Sequence, residues 1–284
     1  MIKGSAPAGC FFIAWERSVA FSSAAINRCN LPPWVIASPA FNSHPQRLEI
    51  QGVRAAHRLL FDQLACLETR EERGLQFHDY MDVSFQLHQW EQQATERGRK
   101  SLKNSYLRFL RGWMFDANSI EGAVLKGWVE SRIGLPPTYH KGPIEDIHGE
   151  AYFRYLTERM KGSARTSALL LQLDLLYEFG QYELEREKGG LGHCTLFRGV
   201  QDFSEQRILK PLGKNRHLIR LNNLTSFTTD FERAWEFGTR VMQVEVPTPK
   251  IFFRCDLLPR ALLKGEEEVL VIGGDFEIKI LTGG

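Results

Sequence analysis

A chain of 284 residues, 43% apolar and carrying 19 Phe and 6 Trp, is long enough to bury a substantial core as one large domain or two modest ones. Its formal net charge of +2, with Lys and Arg spread along the chain, supplies no basic field of the kind that drives nucleic-acid binding. The five cysteines (Cys10, Cys29, Cys66, Cys194, Cys255) are odd in number, scattered and never spaced as C-x-x-C, which argues against a disulfide framework and a zinc site and fits a reducing cytoplasm. The apolar stretch around Cys10 to Ala14 is cut short by Glu16 and Arg17. The run from Ala168 to Leu176 contains Gln172 and Asp174 and is far below the ~20 residues of a membrane span, so neither secretion nor membrane insertion is expected.

Residues 1–43, rich in Ser, Ala, Asn and Pro, read as an irregular segment wrapping over the next region, with Pro32-Pro33 forcing an extended path. Ser43-His44-Pro45-Gln46 has the spacing of a capping box and predicts a helix through about Glu68, with Leu48, Val53, Ala56, Leu59, Leu60 and Leu64 near helical spacing. Thr69-Arg70-Glu71-Glu72 repeats that signal and predicts a second helix whose buried positions are Tyr80, Val83, Phe85, Leu87 and Trp90. Residues 103–116 predict a third helix, Gly134-Leu135-Pro136-Pro137 and Lys141-Gly142-Pro143 mark loops, and 145–160 and 165–187 predict two more helices, the last fully buried. At Gly189-Gly190 the composition changes. Residues 195–200, 218–225, 241–246, 269–272 and 276–281 read as strands, interrupted by one short helix that Thr229-Asp230-Phe231-Glu232 opens and Gly238 closes. The organisation expected is an irregular segment (1–43), an α-helical region (44–188) and a β-rich unit (189–284), together an α+β protein.

Near the C-terminus Glu266-Glu267-Glu268 runs into the β-branched Val269-Leu270-Val271-Ile272. In an extended chain Glu266 and Glu268 share a face about 7 Å apart. Alone, the triplet reads as a solvated acidic turn before an edge strand. Alone, Arg198 in Leu196-Phe197-Arg198-Gly199 reads as a member of a surface ion pair, and the hydroxyls of Thr225-Ser226-Phe227-Thr228-Thr229 read as turn residues, with Thr229 as a cap. Their order says more: a strand arginine, a Ser/Thr segment before a short helix, the strand Val241 to Pro247, then Glu-x-Glu at the start of a strand. His193-Cys194 invites a nucleophile reading, but no second base lies near in sequence and the pair reads as structural. The other histidines have no ligand spacing, so no metal site is indicated, and the Phe and Trp of the helical region read as core.

The four features together resemble the Arg, Ser-Thr-Ser, Glu-x-Glu signature of the ADP-ribosyltransferases related to clostridial and arginine-modifying enzymes, over about residues 190–284. Taken with Cys29-Asn30-Leu31-Pro32-Pro33-Trp34-Val35-Ile36-Ala37-Ser38 and Asp79-Tyr80-Met81-Asp82-Val83, the whole chain is similar to the NAD-dependent dinitrogenase reductase ADP-ribosyltransferases of nitrogen-fixing bacteria. The resemblance implies a compact β core of two small packed sheets behind the helical region. It implies NAD as co-substrate, Glu268 as the catalytic glutamate at the ribose, and Glu266 as the glutamate that engages an incoming guanidinium. Arg198 matches the arginine that holds the phosphates of NAD, and Gly199, Ser226, Thr225 and Thr228 belong to the same NAD site. Where the family pattern is Ser-Thr-Ser this chain reads Thr225-Ser226-Phe227-Thr228-Thr229, so two registers stand: Ser226 with Thr228, or Thr225 with Ser226.

These residue types suit the chemistry. Breaking the bond between nicotinamide and ribose develops oxocarbenium-like charge, which a fixed carboxylate stabilises. Guanidinium, with a pKa above 12, becomes nucleophilic only as its proton is lost, which a second carboxylate can accept. A planar bidentate donor such as Arg198 suits phosphate. The acceptor implied is an arginine of dinitrogenase reductase, the iron protein of nitrogenase, whose modification reversibly switches off nitrogen fixation. By the same resemblance a PII-type signalling protein is a possible regulatory partner. The rival readings are an arginine ADP-ribosyltransferase with another target, or a non-catalytic regulatory binding protein.

Overall fold

The computed structural model describes residues 27–87, 105–163, 168–203, 205–263 and 267–282. The helices in chain order are α1 (Pro33–Ile36), α2 (Pro39–Ser43), α3 (Val53–Ala56), α4 (Arg58–Ala65), α5 (Arg70–Phe85), α6 (Tyr106–Phe115), α7 (Ile120–Ile133), α8 (Glu150–Ser163) and α9 (Ala168–Lys188). They precede the strands β1 (His193–Val200), β2 (Arg207–Pro211) and β3 (Arg216–Thr228), a short α10 (Phe231–Glu236), then β4 (Arg240–Pro247), β5 (Ile251–Arg254) and β6 (Glu268–Thr282). The protein is α+β, with helices before the sheet.

Local chemistry explains where the helices start. At Thr69 the hydroxyl accepts from Glu72 N–H at 3.2 Å while the Glu72 carboxylate accepts from Thr69 N–H at 3.0 Å, the predicted reciprocal capping box. The same signal at Ser43 does not open a helix. Ser43 instead closes α2, its hydroxyl donating to the Pro39 carbonyl, because Pro45 keeps His44 out of helical conformation. The chain then runs on to Ile50, which bridges Cys29, and the single helix expected to Glu68 is two short ones, α3 and α4.

Buried charge hides the periodicity of two helices. On α5 the core face is Gly74, Phe77 and Met81, with Arg73 buried beside them, whereas Val83, expected inside, is 70% exposed. Leu87 is buried as expected, and Trp90 lies outside the described residues. Helix α7 has no counterpart among the predicted elements: Lys126, Glu130 and Arg132 are buried in the midst of Val124, Leu125, Trp128, Val129 and Ile133, which erases a polar face.

The strands form one antiparallel network of order β2-β3-β1-β4-β6-β5, with β3 also paired to β6, so that β1, β3, β6 and β4 close on one another. All six strands are hydrogen-bonded into this one network, and the two small packed sheets expected are not distinguished within it. The stretches 269–272 and 276–281, predicted as two strands, are one strand with a kink at Gly273-Gly274, where Gly274 has φ of 120° and a Cβ on Gly273 would lie 1.8 Å from the Asn222 carbonyl oxygen. Strands β2 and β5 were not predicted.

Alternation sorts the side chains of β3 and β6 between two cores. Leu224, Leu270 and Ile272 join Phe252 and Phe253 of β5 and the buried faces of α5, α6, α7 and α9. Phe227, Val269 and Val271 turn the other way, into a second core with Leu196, Val244 and Ile278 inside the closed strands. Both faces of 269–272 are thus dry, which accounts for its unbroken apolar run.

Helix α9 sits at the centre of the first core and carries a ladder of buried carboxylates. Asp174 accepts from Arg132 at 2.8 and 3.0 Å and from Trp128 Nε1 at 2.7 Å. Glu178 accepts from the Ile50 N–H at 2.7 Å and from Arg54 at 2.6 Å, and Glu183 takes both arms of Arg73 at 2.6 and 2.8 Å. Removing one member leaves its partner charged, buried and alone. Asp174→Ala is expected to lower stability by about 3–5 kcal/mol in urea unfolding; a loss below about 1 kcal/mol would show that Arg132 finds water or another partner.

Candidate active site

A cleft of about 650 Å³ opens where the helical cover of the sheet ends. That volume is within the range of small-molecule and cofactor sites. Its lining comes from the C-terminal turn of α6 and the residues after it (Trp113 to Ala117), from β1 (Phe197, Arg198, Gly199), from β3 (Ser226 to Thr228), from α10 and its exit (Arg233, Ala234, Phe237), and from Glu268.

Strand register places the polar groups. Thr228 stands opposite Glu268 and Ser226 opposite Leu270, so Ser226, Thr228 and Glu268 share the face that further along carries Leu224 and Leu270. Across that diagonal the Ser226 hydroxyl donates to Glu268 Oε1 at 2.5 Å. Trp113 Nε1 donates to the same Ser226 oxygen at 2.8 Å. Arg198 donates from Nη1 to the Ser226 carbonyl at 3.0 Å and from Nη2 to Glu205 at 2.9 Å, while its buried Nε has no partner among the described residues.

Glycine lets α10 sit against β1. A Cβ on Gly199 would lie 2.0 Å from the Ala234 carbonyl oxygen, and one on Gly238 would lie 2.3 Å from Val200 N. The approach brings Arg233 and Phe237 over the cleft. The N-cap of α10 is Asp230, not Thr229 as expected: its carboxylate accepts from the N–H groups of Glu232 and Arg233 at 2.8 and 3.3 Å, two donors that a charged acceptor at a helix start satisfies best. The Thr228 hydroxyl accepts from Asp230 N–H at 3.1 Å and steers the chain into that turn.

Behind Arg198 lies a smaller depression of about 50 Å³ lined by Lys126, Glu205, Gln206, Asn222 and Thr225 among others. Lys126 is buried with Nζ on Asn118 Oδ1, the Tyr139 carbonyl and His140 Nδ1, and burial draws its pKa down to about 8. Its ammonium lies 5.8 Å from the centre of the Trp113 ring.

Of the residues singled out in the sequence, Arg198, Gly199, Ser226, Thr228 and Glu268 line one cleft. Thr225 faces the smaller depression, and its hydroxyl donates to the Asn222 carbonyl at 3.3 Å. Strand alternation therefore groups Ser226 with Thr228 and sets Thr225 apart. Glu266 lies outside the described residues. Glu267 is exposed with φ of 52°, so the chain is not extended at that residue and β6 begins at Glu268. His193 and Cys194 do not line the cleft: His193 Nε2 is 2.6 Å from the Asn42 carbonyl, and burial pushes the Cys194 thiol up. Trp113, Arg233 and Phe237 were not singled out in the sequence. Trp113 lies in the apolar stripe of an amphipathic helix, where an aromatic residue reads as core, and only its register against Ser226 distinguishes it.

Among the described residues no cluster of His, Cys, Asp and Glu is placed to hold a metal ion, and no helix is long and apolar enough to cross a membrane. The described cysteines, Cys29, Cys66, Cys194 and Cys255, are free.

A helix-covered antiparallel sheet with an arginine, a serine and a glutamate converging on one cleft is the arrangement expected of an ADP-ribosyltransferase. The chain belongs to the dinitrogenase reductase ADP-ribosyltransferase family, whose sequence pattern matches residues 26–280. It is 41% identical over 258 residues, 89% of this chain and 93% of the relative, to the NAD(+)--dinitrogen-reductase ADP-D-ribosyltransferase of Rhodospirillum rubrum. No solved structure matches it.

The tight seat of α10 generates a test. Gly199→Ala forces α10 and the Arg198 strand apart, and the KM for NAD is expected to rise at least about tenfold, the scale of one misplaced charged contact; an unchanged KM would mean that α10 does not shape the nucleotide site.

Proposed function

We propose that the protein transfers ADP-ribose from NAD to an arginine of dinitrogenase reductase, releasing nicotinamide and reversibly switching off nitrogen fixation. Membership of the family supports the donor and the acceptor protein. The observation that carries the chemistry is the Ser226 hydroxyl bonded to the Glu268 carboxylate, with Arg198 on the Ser226 carbonyl, in a single cleft. The cleft has the size for a dinucleotide, and Arg198 in its lining is a planar donor suited to a phosphate.

In this reading Arg198 binds the diphosphate, and Gly199 and Thr228 shape the floor on which NAD lies. Glu268, oriented by Ser226, accepts from a ribose hydroxyl and faces the sugar carbon as its bond to the nicotinamide nitrogen lengthens and positive charge grows. The electron pair of that bond leaves with nicotinamide. Glu266 draws the acceptor arginine towards the same carbon and takes the proton that its nitrogen releases on forming the new bond. The modification places a bulky, negatively charged group on a surface used for docking, which blocks electron transfer by charge and volume. The helical region (44–188) covers one side of the cleft and recognises the acceptor, while the β-rich unit (189–284) holds NAD. A cytoplasmic setting and control by a PII-type protein belong to the same proposal. A non-catalytic role is disfavoured by Arg198, Ser226 and Glu268 lining one cleft of this size.

Glu268→Gln is expected to abolish transfer while NAD still binds in calorimetry. Glu266→Gln is expected to keep NAD hydrolysis and lose transfer to arginine. Mass spectrometry of dinitrogenase reductase after incubation with enzyme and NAD reads transfer by both variants, nicotinamide release without acceptor reads the hydrolysis, and full modification by the Glu268→Gln protein would sink the assignment.

A further inference from the structure

The serine that holds Glu268 is itself held from outside the sheet. An indole N–H only donates and an ionised carboxylate only accepts, so a hydroxyl lying between them has one arrangement: it accepts from the indole and donates to the carboxylate. That is the position of Ser226, 2.8 Å from Trp113 Nε1 and 2.5 Å from Glu268 Oε1. The indole fixes the position of the hydroxyl oxygen from the side opposite the carboxylate, so without it the oxygen and the carboxylate bonded to it are held less firmly.

Trp113 is well fixed for this task. It is buried, and it belongs to the main core with Phe109 and Leu110 of the same helix. Helix α6 is in turn tied to the centre of the molecule: Gln172 of α9 accepts from the Tyr106 N–H at 2.9 Å, and His78 Nδ1 of α5 pairs with the Tyr106 hydroxyl at 3.1 Å. Beside the indole, Lys126 presents its ammonium 5.8 Å from the ring centre. The position of the indole nitrogen is thus set by the helical region, and its proton points at a strand of the sheet.

We infer that Trp113 is a positioning residue for the transfer reaction, acting through Ser226 to keep the Glu268 carboxylate aimed at the ribose. The inference rests on the reading of Ser226 and Glu268 given above. It assigns the helical region a direct part in catalysis besides covering the cleft, since the orientation of the catalytic carboxylate depends on where α6 lies.

The test is a double-mutant cycle on full-length enzyme, reading kcat and KM for NAD together with a melting curve. Trp113→Phe keeps an aromatic ring and removes the donor. Its kcat is expected to fall about tenfold, the scale of one hydrogen bond acting on a charged partner, with KM for NAD within about twofold of the parent. If Trp113 acts through Ser226, Trp113→Phe costs no further activity in a Ser226→Ala background. An unchanged kcat for Trp113→Phe, or a second tenfold loss on top of Ser226→Ala, overturns the inference. Should Trp113→Phe fail to fold, 3-benzothienylalanine at position 113 keeps the ring shape, replaces only the N–H, and is held to the same outcomes. Glu268→Gln separates the two levels: full activity of that variant refutes the site itself, whereas its loss beside a fully active Trp113→Phe refutes the relay alone.

Discussion

Everything else in the structure is placed by the carboxylates of one helix. Burying Asp174, Glu178 and Glu183 in the middle of the largest core is tolerable only if each has a cation or a donor in a defined position. Each takes a different one: Arg132 of α7, Arg54 with the Ile50 backbone, and Arg73 of α5. Nearer the end of the helix Glu187 takes Arg254 of β5 at 2.5 and 3.2 Å. An apolar contact tolerates sliding by an ångström, but the buried bidentate pairs of Asp174 with Arg132 and Glu183 with Arg73 do not. These pairs therefore fix the register of their elements on α9, while the surrounding Leu, Phe and Trp supply the bulk of the burial.

From α9 two lines of contact lead to the cleft. Gln172 holds the start of α6, which carries Trp113 to Ser226. On the other side Gln181 donates to the carbonyls of Thr248 and Ile251, and the Tyr177 hydroxyl donates to the carbonyl of Pro249, so the residues entering β5 are pinned. Strand β5 then pairs along 269–271 of β6, next to Glu268. The two lines meet at the hydrogen bond between Ser226 and Glu268. A glutamate whose strand and whose serine are both referred to one rigid helix has little freedom left to lose, which is the preorganisation that the proposed role of Glu268 asks for.

The same buried pairs decide what the sequence could disclose. Elements with ordinary patterning were legible: the box at Thr69, the long apolar α9, and the strands β1, β3 and β4 all lie close to where spacing and composition put them. Helix α7 was not, because Lys126, Glu130 and Arg132 sit on what would otherwise be a continuous apolar surface, and a residue is recognisable as paired only once its partner is in place. Arg73 disguised the face of α5 in the same way. Strand β2 is exposed along its length and contains Lys210 and Pro211, the composition of a guarded edge and not of a core strand. In the cleft the order of Arg198, Ser226 and Glu268 was visible, whereas Trp113 looked like any core aromatic and the left-handed turn at Glu267 left no mark in an all-glutamate triplet.

The location of Glu268 follows from alternation along two paired strands. Its face of β6 continues into Leu270 and Ile272, packed under the helices, and the matching face of β3 runs from Leu224 to Ser226 and Thr228. Glu268 and Thr228 are therefore the last positions of a buried face, at the point where α6 ends and the cover stops. One step deeper, a carboxylate would pay the full desolvation of its charge and take up a proton. One step farther out, water would screen it and weaken the hold on a developing cation that is proposed for it. At the rim the low-dielectric core lies on one side and the cleft on the other, and the Ser226 hydroxyl supplies the hydrogen bond that solvent would have given. A single residue of strand slippage would turn Glu268 to the second core and bring Val269 to the cleft, so the dry, double-faced packing of 269–272 keeps Glu268 at the cleft by forbidding that slip.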